Sequence, residues 1–147
     1  MTRERSLSPL GCAFLALLLA AVLGAIGWIG WNGIVRPWRM ADDFFALAEA
    51  GDSAAIRARI APDRRASVSD QEIQTWIERV RGHSGWSFAR QASSFGTTRG
   101  GHSVATQRGY LHYPGSQDEC HFSITFIQFD GTWYLDSVFI GRRAVPR

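Results

Sequence analysis

Residues 9–31 contain no charged side chain, and this run limits the chain more than any other stretch. A helix rises about 1.5 Å per residue and a bilayer's hydrocarbon core is about 30 Å thick, so roughly 20 apolar residues span it. The run is long enough. It follows a short polar leader, residues 1–8, in which Arg3 and Arg5 resemble the charged start of a signal peptide. A cleaved signal is the alternative, with Ala25 and Gly27 as small residues near a cut. The apolar run continues past them, however, to Trp28 and Trp31, an aromatic pair suited to the far interface. An uncleaved signal anchor is therefore expected. Gly24, Gly27 and Gly30 lie at helical spacing and permit close packing of a second helix. These three glycines with Trp28 and Trp31 are the expected membrane contacts. Arg3 and Arg5 before the run balance Arg36 and Arg39 after it, so basic residues do not orient the span. The signal-like start favours placing the rest of the chain outside.

About one hundred of the 147 residues remain, enough for one modest core. The net charge is +3, all sixteen basic residues are arginines, and they are scattered. That pattern argues against nucleic-acid binding. Cys12 lies in the apolar run and Cys120 in the remainder, so the two belong to different solvents and no bridge between them is expected. No cysteine pair has metal-ligand spacing.

Residues 32–39 read as a juxtamembrane linker, because Pro37 interrupts a helix and biases Arg36 towards extended backbone. Residues 40–50 read as a helix, with Met40, Phe44, Leu47 and Ala48 on one stripe and Asp42 and Asp43 in its first turn. Gly51 stops it, and Asp52 caps a second short helix to about Ile60. A third helix has a capping box, Ser69 to Glu72, and a staple of Val68 with Ile73. From Gly85 the apolar period becomes two, giving strands over 85–95, 102–113, 120–129 and 132–140. Pro114-Gly115 suits a type II turn and Asp130-Gly131 a type I′ hairpin. Three helices must cover one face of a four-stranded antiparallel meander, an α+β fold over residues 40–141 with a basic tail over 142–147.

The segment Ala41-Asp42-Asp43-Phe44-Phe45-Ala46-Leu47-Ala48-Glu49-Ala50-Gly51-Asp52 resembles the opening of NTF2-like (cystatin-like) domains, a helix ending in Gly-Asp before a second short helix. Asp130-Gly131-Thr132-Trp133-Tyr134-Leu135-Asp136-Ser137-Val138 resembles their last hairpin. The resemblance implies a cone of early helices across a curved sheet. It is nearest to small membrane-anchored bacterial members, which implies a bacterial inner-membrane protein; the extracytoplasmic placement of the domain follows from the signal-like start. The last two strands are also similar to those of bacterial proteins related to the cytochrome oxidase assembly factor Coa1. Such domains include isomerases, dehydratases, ligand binders and interaction modules, so the fold leaves function open.

A cone enzyme would need an inward acid or base. Alternation places Asp136 on one face with Tyr134, Val138 and Ile140, where it could act as a base with Tyr110 or His112 polarising a carbonyl. An outward Asp136, or one paired with an arginine, is the blander reading. His112, His121 and Glu119 flank one turn, but their irregular spacing favours a solvated turn over a metal site. No cofactor and no metal are expected. The aromatics Trp86, Phe88, Trp133 and Phe139 are candidates for a binding patch, with core membership as the alternative. The leading expectation is a membrane-held binding or assembly module, acting in a membrane complex or as a homodimer. A small-molecule binder or enzyme with a pocket near Asp136 is the alternative.

Overall fold

The computed structural model describes residues 9–98, 100–115 and 119–141; the side chains at 9, 33, 34 and 88–95 lie outside that description. The leader 1–8 and the tail 142–147 also lie outside the described residues. An apolar helix, α1 (Pro9–Gly30), leads through a π turn, Trp31–Val35, into α2 (Arg36–Ala50). Two further helices follow, α3 (Ser53–Arg59) and α4 (Asp70–Val80). Four strands follow among the described residues: β1 (Gly85–Thr97), β2 (Ser103–His112), β3 (Cys120–Phe129) and β4 (Thr132–Ile140). They form one antiparallel sheet in the order β1-β2-β3-β4.

The junction after α1 departs from the linker expected at 32–39. Arg36 is helical, with φ −67° and ψ −47°, and helical dihedrals also hold at Gly30 and Val35. An interior proline removes one hydrogen bond and crowds the carbonyl four residues earlier. Here the turn before Pro37 is widened, and the Arg36 N–H reaches the Trp31 carbonyl, five residues back. The ring of Pro37 then lies buried in the first turn of α2. Asp42 and Asp43 consequently sit inside a continuous helix and cannot serve a helix start. Asp42 instead accepts from Trp86 Nε1 at 2.9 Å, and Asp43 pairs with Arg59 at 3.0 Å.

Other local signals form as their chemistry dictates. Asp52 caps α3 by accepting from the Ala55 N–H at 2.9 Å, and Ser69 caps α4 by accepting from the Glu72 N–H at 3.1 Å. Val68 and Ile73, the staple pair, are both buried. Glu49 at the end of α2 accepts from the Gly82 N–H just beyond α4, tying the two helix ends together. Asp130 and Gly131 have φ of 48° and 78°, as a type I′ turn requires.

The core lies between the helices and one sheet face. Phe44, Phe45 and Ala48 of α2 and Ile73, Trp76 and Ile77 of α4 meet Leu111, Phe122, Ile124 and Phe126 of the sheet. Phe45 packs edge-on to Phe122 with ring centroids 5.0 Å apart. Gln107 is fully buried on the same face.

Two irregularities bend the sheet. β1 shifts register against β2 between Phe88 and Ser93, and β4 shifts against β3 between Thr125 and Phe126. At Gly109 the sheet passes so close to its neighbours that an added Cβ would lie 2.2 Å from the Ser87 carbonyl oxygen and 2.7 Å from the Phe122 ring. Gly109→Ala should therefore destabilise the protein by about 3 kcal/mol. Urea denaturation of the full-length protein in detergent checks this, and an unchanged midpoint would contradict the close approach.

Candidate functional site

The structure does not bring the three residues expected at an Asp136 site together. In β4, Leu135 pairs with Phe126 and Ser137 pairs with Thr125, leaving Asp136 as the extra residue of a bulge. The bulge changes the strand's parity. Val138 and Ile140 turn inward and Ser137 and Phe139 outward, so Tyr134 no longer shares a face with Val138 and Ile140. Asp136 is half-buried at this kink. Tyr110 is also far along the sheet: it pairs with His121, whereas the row of Ser137 contains Thr125 and Thr106. Four residues of strand separate the two rows, about 13 Å. His112 lies two residues beyond Tyr110. It is held by Ser87 at 2.8 Å through Nε2 and faces Glu119 at 3.8 Å through Nδ1. Tyr110 and His112 are thus not brought to Asp136. Among the described residues, no three His, Cys, Asp or Glu side chains cluster as metal ligands.

The aromatic candidates separate into different environments. Trp133 is buried in the core. Trp86 is half-buried: it stacks on Trp38 of α2 with centroids 4.7 Å apart, leans on Phe45 and bonds to Asp42. It is a structural weld between β1 and α2. The side chain of Phe88 lies outside the described residues. Phe139 is 57% exposed on the outer sheet face, at the end of a row with His121 and Tyr110. In the apolar helix, an added Cβ at Gly24, Gly27 or Gly30 would meet nothing within 4 Å, and Trp28 and Trp31 are exposed. The Arg39 guanidinium lies 5.3 Å from the Trp31 ring centroid.

A cleft of about 300 Å³ lies between the loop after α3 and the β3–β4 hairpin. Pro62, Asp63, Phe129, Asp130, Thr132 and Tyr134 line it. Pro62 follows the end of α3 and Asp130 forms the hairpin turn, and neither position hints at a shared wall. One signal was present: Phe129 and Tyr134 flank the Asp130-Gly131 turn, and a two-residue hairpin brings such residues diagonally together. Their ring centroids are 6.2 Å apart at 57°. The opposite wall is fixed by hydrogen bonds. The Ala61 N–H donates to the Leu135 carbonyl at 2.8 Å, and Arg65 donates to the carbonyls of Ala58 and Ile60. Arg57 spans the same loop, reaching the carbonyls of Arg65 and Val68 and the Asp70 carboxylate.

No protein-family model matches the chain, and no curated protein matches it. Among solved structures, a designed protein of the Rd1NTF2_05 series is similar, with a TM-score of 0.51 at 14% identity. The match covers 72% of this chain and 96% of the designed one. The fold is NTF2-like. At that identity the likeness concerns architecture alone, and the resemblance to Coa1-related proteins finds no support among these matches. In this NTF2-like domain the described space between helices and sheet is occupied by Phe45, Trp76, Phe122 and Phe126, so the open cleft lies at the edge of the cone.

Cys120 is buried beneath the same sheet, its thiol donating to the Gly141 carbonyl at 2.9 Å. Burial raises its pKa, with the Arg79 charge opposing. A folded-state pKa above the unfolded one gives stability that is full below the unfolded value and is lost as pH rises above it, in the range beyond about 9.0. In Cys12→Ser protein, a maleimide at pH 8 should leave Cys120 unmodified until guanidinium is added, whereas rapid native labelling would contradict its burial. Trp86→Ala should destabilise by about 3 kcal/mol, and Phe139→Ala should change stability by less than about 0.5 kcal/mol. Thermal melts of the two variants check the contrast.

Proposed function

We propose that the protein is a single-pass, membrane-anchored NTF2-like module that holds a binding surface at a fixed attitude to the bilayer. One observation carries this reading. The apolar helix runs without a break through the π turn into α2, and α2 supplies Ala41, Phe44, Phe45 and Ala48 to the core. A flexible tether would let the domain tumble; a shared helix does not. The candidate span is long and apolar enough to cross a membrane, its side chains are exposed, and Trp28 and Trp31 lie near its end. Beyond it, Arg36 and Arg39 follow within about 9 and 14 Å of helix, at the depth of lipid phosphates.

The filled interior supports a role in binding or assembly through outer surfaces. The anchor offers one such surface in the Gly24, Gly27 and Gly30 stripe, and the outer sheet face offers another around Phe139. On this reading the protein is a bacterial inner-membrane component with its domain on the extracytoplasmic side, acting in a membrane complex or as a homodimer.

Three measurements on the full chain test the proposal. Alkaline carbonate should leave the protein in the membrane pellet with an intact amino terminus; release, or a mature protein starting after Ala25 or Gly27, would favour a cleaved signal. Protease added to spheroplasts should digest the domain without lysis. Crosslinking in native membranes should trap a neighbour or a dimer, and Gly27→Leu should reduce that product at least about fivefold without shifting the domain's melting temperature. A monomer after efficient crosslinking would sink the assembly role.

A further inference from the structure

We propose that the cleft between the α3–α4 loop and the β3–β4 hairpin is a binding site for an organic ammonium group. The inference is independent of whether residues 9–31 cross a membrane. The cleft combines three features that suit such a cation. Phe129 and Tyr134 stand at 57° to each other and form an aromatic corner, and ring faces attract cations through their quadrupoles. Asp63 and Asp130 bring two carboxylates to the same cavity, one from each wall, and among the described residues no basic side chain lines it. Pro62 and Thr132 complete it with an apolar edge and a hydroxyl. The two carboxylates and the aromatic corner thus face one cavity.

Both walls are preorganised, which reduces the entropy lost on binding. Arg57 and Arg65 fasten the loop carrying Pro62 and Asp63 to backbone carbonyls, and the Ala61–Leu135 bond fastens that loop to β4. On the other wall, the type I′ turn fixes Asp130, and His102 packs on Phe129 with ring centroids 4.3 Å apart. The volume of about 300 Å³ accepts a substituted ammonium headgroup and is small for a drug-sized molecule.

Topology bears on where the cation comes from. Asp43 lies at the middle of α2, and Arg59 at the end of α3 is bonded to it, so α3 runs back along α2 in the direction of the apolar helix. Glu49, at the far end of α2, meets Gly82 and His83 instead. The α3–α4 loop therefore starts on the apolar-helix side of the α2 C-terminus. An ammonium can arrive there as a soluble amine or as the headgroup of an aminophospholipid, and the experiment separates the two.

The test uses full-length protein in an amine-free maltoside detergent, titrated with tetramethylammonium chloride or ethanolamine while the amide resonances of Gly131 and Thr132 are followed. A saturable shift is expected, with sodium chloride at matched ionic strength giving none. Asp63→Asn and Asp130→Asn should each weaken binding roughly threefold, and together about tenfold. Tyr134→Leu should weaken it about fivefold. Asparagine tolerates the positive φ of residue 130, and residue 63 is exposed, so the carboxylate variants keep the fold. The lipid arm repeats the measurement in nanodiscs of phosphatidylglycerol alone or with phosphatidylethanolamine. Shifts already present with phosphatidylethanolamine assign the site to the headgroup; shifts only on adding free amine assign it to a soluble ligand. A linear, non-saturating response, an equal response to sodium chloride, or unchanged affinity in the double carboxylate variant would overturn the proposal.

Discussion

The hydrogen bond from the Arg36 N–H to the Trp31 carbonyl spans five residues, and the placement of the whole domain depends on it. A four-residue register would set the ring of Pro37 against the preceding turn and break the helix. The widened turn keeps the backbone helical, so the apolar helix and the first core helix share one path. Once that path is set, Trp38 meets Trp86, Asp42 finds the Trp86 indole, and Phe44 and Phe45 point at the sheet. The junction therefore sets the direction in which the apolar helix leaves the domain.

The sheet answers this constraint from the other side. A flat four-stranded meander would not follow both α2 and α4, and the register shifts in β1 and β4 supply the curvature. Gly109 allows the Ser87 carbonyl and the Phe122 ring to approach where any side chain would block them. Among the described residues, curvature closes the aromatic core, and the cleft beside the β3–β4 hairpin lies outside it. The same bulge that completes the core places Asp136 at a kink and separates it from the residues with which it would have had to act.

Much of the fold was legible because its signals are local. Ser69 and Asp52 cap helices through bonds reaching three residues, and Asp130-Gly131 makes a turn from its own backbone preferences. The alternation of Phe122, Ile124 and Phe126 identifies a buried strand face from three residues alone. Far less of the candidate site was legible. Asp63 and Tyr134 are separated by most of the domain's sequence, and neither carries a motif naming the other. Their meeting depends on the Ala61–Leu135 hydrogen bond, a contact between a loop and a strand that no periodicity encodes.

The amino-acid sequence by itself determined a span-length apolar segment, the order of helices and strands, the two-residue hairpin and the α+β class. Each follows from composition or spacing within about a dozen residues, where side-chain period and backbone preference act directly. Only the tertiary structure decided that Pro37 lies within a continuous helix, that Asp136 occupies a bulge and that two carboxylates share an aromatic cleft. Each of these involves contacts between distant segments: burial of α2 against the sheet is strong enough to favour helix through a proline, and sheet curvature is strong enough to shift a strand by one residue. Local propensity is worth fractions of a kcal/mol per residue, whereas burying one large apolar side chain is worth about 2 kcal/mol, so packing prevails where the two disagree.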